Sequence, residues 1–150
     1  MKGSIEYDDG KKYEGDIVND KPHGTGILTF ADGTVYDGDF IKGDLNGHGV
    51  LTHSDGSSYT GQFKDNAFEG LGELKKGDGS DYYIGEFRKG FMHGLGKISM
   101  PDGTTWEGGF AHGQMDGEGI LTFPTGERVE GAFIDGKFVM KGFSEDKNSP

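Results

Sequence analysis

Aromatic rings recur at a fixed interval in this chain, and they are its strongest candidates for chemistry. Tyr13, Tyr36, Tyr59, Tyr83 and Trp106 stand 23 or 24 residues apart, each two residues before a glycine, with Val129 in the sixth position. Four residues beyond each comes Ile17, Phe40, Phe63, Phe87, Phe110 or Phe133. Tyr and Trp offer a flat apolar body with one polar handle, and they are enriched where proteins bind one another. The row Tyr13, Tyr36, Tyr59, Tyr83 and Trp106, with Phe40, Phe63, Phe87 and Phe110 beside it, is therefore expected to line a groove that receives a partner. Glu14, Asp16, Asp37, Asp39, Glu86, Glu107 and Glu130 flank the column. They are expected on the opposite face, as a solvated surface or as a strip for a Lys/Arg-rich partner.

Other chemistries find little support. His23 and His93 lie three repeats apart, roughly 28 Å at ordinary strand spacing, so they cannot share an ion. His48 and His53 are closer but have no convergent third ligand, and no metal site is expected. Gly24-Thr25-Gly26 and Gly47-His48-Gly49 resemble phosphate loops only superficially, because such loops lead into a helix and these lead into strands. Asp37-x-Asp39 is too common a pattern to signal calcium or acid–base catalysis. With no cysteine, disulfides and thiol chemistry are excluded. Neither enzymatic activity nor a cofactor is expected.

The elements that carry the rings follow from the same repetition. Around each ring the sequence reads Gly-x-Leu-x-Phe, Asp-Gly, then Tyr-x-Gly-x-Phe, as in Gly26 to Phe40. Both outer segments alternate with period two, the pattern of a half-buried strand. Asp-Gly between them marks a tight hairpin turn. The polar stretch from Phe40 to Gly47 is expected to make a looser turn into the next hairpin. Glycine at this density argues against helices. One interval is a residue longer, and the extra residue falls between Gly79 and Tyr83, where Lys75 to Asp81 reads as a lengthened hairpin tip. Alternation places Tyr36, Gly38 and Phe40 on one face and Asp37 and Asp39 on the other. Rings beside glycines on adjacent strands favour an inward bend. The expected fold is all-β: an open, single-layer, twisted and curved antiparallel sheet of about six stacked hairpins over residues 1–143. A short polar tail at 144–150 is expected to be disordered.

Composition agrees with a thin sheet. Of 150 residues only 31% are hydrophobic, while 30 are glycine. The net charge of −11 speaks against nucleic acid, which requires a basic footprint. It also disfavours an anionic membrane. Met1-Lys2-Gly3-Ser4 runs directly into repeat sequence, so no leader or anchor is expected, and a cytoplasmic location fits the lack of cysteine.

These columns resemble the MORN repeat, whose pattern is similar to Tyr-Glu-Gly-x-Phe/Trp, a polar stretch, His-Gly-x-Gly and x-Leu-x-Phe-x-Asp-Gly. The clearest matches run from Tyr13 to Gly33 and from Tyr83 to Gly103, and the likeness spans residues 3–143. In size the chain is similar to the small retinophilin-like members. The resemblance implies hairpins stacked into an elongated grooved sheet with scaffold or adaptor roles in cytoskeletal, ciliary or cortical assemblies. It implies an extended or helical partner segment, such as a myosin tail, along the groove. Val129 and the absence of His-Gly at Val139-Met140 mark a degenerate final repeat. The alternative reading is a membrane module that recognises phospholipid head groups through Lys42, Lys64, Arg88, Lys89 and Lys137. The open strand edges at Gly3–Tyr7 and Lys141–Phe143 offer a homodimer as a third reading.

Overall fold

The structure, a computed structural model, describes residues 1–77 and 81–141. Thirteen strands follow one another: β1 (Lys2–Glu6), β2 (Lys12–Val18), β3 (Lys21–Thr29), β4 (Val35–Ile41), β5 (Asp44–Thr52), β6 (Ser58–Lys64), β7 (Ala67–Lys75), β8 (Tyr82–Arg88), β9 (Phe91–Ser99), β10 (Thr105–Ala111), β11 (Gln114–Thr122), β12 (Arg128–Ile134) and β13 (Lys137–Met140). Among the described residues they form one antiparallel meander in chain order, with β1 and β13 at its two ends. The all-β, single-layer sheet expected from the repeat is what the chain builds. The lengthened tip at Asp78, Gly79 and Ser80 and the polar tail at 144–150 lie outside the described residues.

The Asp-Gly segments turn their hairpins with glycine at positive φ, as expected, but the connections expected to be looser are the tighter of the two. At the Asp-Gly tips Phe30 N donates to Thr34 O (2.7 Å) and Gly33 N donates to Phe30 O (3.0 Å), closing a three-residue loop. Only the glycine there has positive φ, +95° at Gly33. The aspartate works through its side chain, since Asp32 Oδ1 accepts from Thr34 N at 2.9 Å. Asp9, Asp55 and Asp102 accept from the amide two residues on in the same way. The supposedly loose connections are two-residue turns with both residues at positive φ, such as Lys42 (50°) and Gly43 (93°) between the paired Ile41 and Asp44. That is the hairpin geometry matching strand twist.

Each nine-residue odd strand is longer than its seven-residue even partner because it contains a bulge. Gly38 pairs with Gly49 and Phe40 with Leu45, so Asp39 alone faces Asn46-Gly47-His48. Gly47 takes φ +95° at the centre, a conformation costly for other residues. The repeated His-Gly-x-Gly stretch is thus the bulge, which bends the sheet where it recurs.

Candidate functional site

The rings expected to line an open groove are instead the core. Tyr13, Tyr36, Tyr59, Tyr83 and Trp106 are at most 1% exposed, and Phe40, Phe63, Phe87 and Phe110 at most 4%. Tyr36 shows how a single layer achieves this. Its ring lies flat across Gly49 on the next strand, where an added Cβ would stand only 2.5 Å from Cζ. Phe40 meets its face edge-on at 5.1 Å, and Phe63 of the following repeat does so at 5.0 Å. The pattern continues through Phe63–Tyr59–Phe87–Tyr83–Phe110 as an unbroken chain of edge-to-face contacts. Each such pair contributes about 0.5–1.5 kcal/mol beyond burial.

The polar handle is also consumed internally. Tyr36 Oη donates to Asp39 O at 2.8 Å, the carbonyl facing the bulge. Tyr13, Tyr59 and Tyr83 donate likewise to Asp16, Gln62 and Glu86, and Trp106 Nε1 reaches Gly109 O at 3.1 Å. Tyrosine and tryptophan are interchangeable here because each brings a ring and a donor. Val129 brings neither; Phe138 from β13 takes over, its ring lying across Gly131.

Beside the rings runs a second apolar column that the sequence reading missed, buried at Pro22 and Leu45 and half-buried from Phe68 onward. Pro22, Leu45, Phe68, Met92 and Met115 each precede a bulge by one residue, Phe138 holds the equivalent place on β13 without a bulge, and Phe68 stacks on Tyr59 at 3.8 Å. The signal was present, since every copy at this position is apolar, but the residue types differ. Two hollows lie along this face. One, of about 640 Å³, is lined by Phe30, Leu45, Leu51 and Phe68 with Lys11, His53 and Asn66 at its rim. The other, of about 400 Å³, is lined by Met92, Ile98, Met115 and Phe133.

The acidic residues divide into two sets. Glu14, Asp37 and Glu107 are exposed, but along their row they alternate with Ile27, Val50, Lys97 and Ile120, so they form no continuous acidic strip. Asp16, Asp39 and Glu86 clamp the bulges, accepting from Thr25 N, His48 N and Leu95 N at 3.0 Å each. Asp16 also pairs with Lys2 at 2.7 Å, and Lys2 with the Thr25 amide holds its carboxyl down to about 2. His23 is occupied as a turn cap, its Nδ1 accepting from Lys42 N at 3.1 Å. Asn46 and Glu69 do the same one and two repeats later. Among the described residues no group of three or more His, Asp or Glu is placed to hold a metal.

Burial leaves a titratable signature. It pushes Tyr36, Tyr59 and Tyr83 up to about 12, with the nearby Asp39 and Glu86 adding to the effect at Tyr36 and Tyr83. A tyrosine whose folded pKa exceeds its unfolded value of about 10 stabilises the fold fully below pH 10. That stability is lost as pH rises towards 12. Alkaline unfolding is therefore expected between these values, with near-ultraviolet tyrosinate absorbance and loss of circular dichroism rising together for the buried rings. Complete titration of all six tyrosines in a still-folded protein would contradict the assignment.

The MORN repeat family model matches residues 13–35, 36–58, 59–81, 83–105 and 106–128, five consecutive copies. No curated protein matches the chain.

Proposed function

This chain belongs to the MORN repeat family, and on that premise we propose that it is a non-enzymatic scaffold that takes a segment of another protein along its ring-floored face. The family's repeats are modules that bind proteins or membranes. The observation that carries the protein reading is the half-buried apolar column, Phe68, Met92 and Met115, flanked by Phe30, Leu51 and Ile98. A row of apolar hollows on a rigid floor suits side chains spaced along a helix or extended peptide. Methionine adapts its shape to what it meets. The buried tyrosines and phenylalanines serve this surface from beneath, by fixing it, rather than by touching the occupant. A cytoskeletal, ciliary or myosin-tail-like segment in the cytoplasm is the kind of partner this reading favours.

The lipid alternative is weaker on charge. Lys42, Lys64, Arg88, Lys89 and Lys137 are all exposed along the edge made by the two-residue turns. Asp20, Asp44, Asp65 and Asp135 occupy the same edge, so the positive charge is offset locally.

The test is a double variant, Met92→Glu with Met115→Glu, with Thr60→Glu on the opposite face as control. The double variant is expected to lose the partner recovered from the native source, while circular dichroism shows the sheet intact. The control is expected to keep it. Equal recovery by a folded double variant would sink the proposal.

A further inference from the structure

The face turned away from the rings mixes polar residues with scattered apolar ones such as Ile27 and Ile134, and its two most exposed leucines lie together at the centre. One column on it reads Thr25, His48, Leu71, Leu95 and Glu118; the two leucines are 68% and 67% exposed. Between them on β8 stands Ile84, 49% exposed, in the column that holds Glu14, Asp37 and Glu107 elsewhere. Leu71 is paired across the sheet with Glu86, and Leu95 lies on the other side of Glu86, which accepts its amide at 3.0 Å. Beside Leu95 the sheet surface drops into a hollow of about 520 Å³ bounded by Tyr82, Ile84, Lys97 and Glu107 over Gly85, Gly96 and Gly108. Contiguous exposed apolar side chains, as distinct from scattered single ones, mark interaction sites.

We infer that this outer patch is a second docking surface, separate from the ring-side face, and that it takes an amphipathic helix carrying a Lys or Arg between two apolar side chains. The row Leu71–Glu86–Leu95 crosses three adjacent strands, about 4.8 Å apart. A helix lying along it presents one side chain per turn, every 5.4 Å or so, which nearly matches that step. Leucines at i and i+7 meet Leu71 and Leu95; a cation at i+3 or i+4 falls over Glu86. The charge at the centre fixes the chemistry. Covering Glu86 with an apolar surface strands a carboxylate away from water, which is costly unless a cation meets it. A second copy of this chain is disfavoured for the same reason, because a two-fold contact centred on the patch sets Glu86 against Glu86. Glu73 on the patch is already paired with Lys75 at 3.4 Å, and Lys97 faces Glu107 across the strands. Glu86 is left as the carboxylate that selects the partner's charge.

The probe is a synthetic capped helical peptide with leucines at i and i+7 and lysine at i+4, titrated against the full chain while the Leu71, Ile84 and Leu95 methyl resonances are followed. A peptide with glutamate in place of the lysine is the comparison. The lysine peptide is expected to shift those methyls and to bind at least about tenfold tighter than the glutamate peptide. Leu71→Thr with Leu95→Thr, which copies the polar residue Thr25 of the same column, leaves the net charge unchanged and is expected to weaken binding at least about tenfold. Glu86→Gln keeps an oxygen for the Leu95 amide and is expected to erase the preference for lysine. The Met92→Glu, Met115→Glu protein is expected to bind the peptide unchanged, which separates this site from the ring-side one. Equal binding of both peptides, or binding indifferent to the leucine substitutions, overturns the inference. So does a wild-type dimer in sedimentation that the threonine variant converts to monomer.

Discussion

Tyr59→Ala is expected to split the array rather than merely weaken a partner. Tyr59 is 1% exposed, stacks on Phe68 and is met edge-on by Phe63 and Phe87. Removing a buried aromatic ring of this kind costs about 3–5 kcal/mol, a large share of the roughly 5–15 kcal/mol that holds a domain of this size. The loss also strands the Gln62 carbonyl that the hydroxyl satisfies at 2.8 Å. Because each hairpin contacts only its neighbours, a break at the centre uncouples the two halves. Thermal unfolding monitored by circular dichroism is expected to fall in midpoint and broaden into two steps. Tyr59→Phe keeps the ring and loses only the donor, with an expected cost of about 1–3 kcal/mol for the orphaned carbonyl. Tyr59→Trp is expected to be the mildest of the three, since Trp106 already fills the equivalent place with its own donor. A Tyr59→Ala protein as stable as Tyr59→Phe would show that the ring is not what joins the repeats.

This result also marks where sequence reasoning stopped. The period, the strand order and the side on which each ring sits were legible, because every repeat spells the same contacts in the same columns. Alternation says which face Tyr36 occupies, but not what lies above it. Its burial depends on a ring orientation, flat across Gly49, and on Phe63 arriving from the next repeat. The covering column was hidden by its mixed chemistry: Pro22, Leu45, Phe68 and Met92 share polarity but no residue type. The hairpin turn at Asp-Gly was legible, though not that the Asp32 carboxylate closes a three-residue loop by holding the Thr34 amide. The connection at Lys42-Gly43 was misread as loose because its polar stretch includes the bulge residues of the next strand. The acids fall into two columns in the fold, exposed residues such as Asp37 and bulge clamps such as Asp39. That Asp39 clamps a bulge was not visible, because a bulge leaves no mark in the alternation of polar and apolar residues, although it recurs in each repeat around a glycine such as Gly47 at positive φ.

Glycine-to-alanine substitutions at the floor of the core separate the two ways in which this sheet depends on missing side chains. A Cβ on Gly49 meets Tyr36 first: Cε1, Oη and Cζ of that ring are its three nearest neighbours. A Cβ on Gly38 meets backbone first, the Cα of Gly49 and the carbonyl of His48, both at 2.5 Å, with Tyr36 Oη next at 2.8 Å. Either contact is far inside van der Waals range, and overpacking a tight core costs about 1–3 kcal/mol or more. At Gly49 the ring must also lift, which costs the Asp39 bond and the edge contacts with Phe40 and Phe63. Gly49→Val is therefore expected to unfold the central repeats outright, and Gly49→Ala to lower the melting temperature about as far as losing the ring. The decisive measurement is a double-mutant cycle with Tyr36→Ala. Once the ring is gone, the three nearest contacts of a Gly49 Cβ go with it, and the cost of Gly49→Ala is expected to fall sharply. Gly38→Ala still strikes the neighbouring strand, and its cost is expected to persist in the same background. Equal, additive costs at the two glycines would mean that the ring does not rest on Gly49. The Tyr-x-Gly and Gly-x-Gly motifs would then be tied only through the backbone. A coupling confined to Gly49 would identify one ring over one glycine as the unit that the sequence repeats.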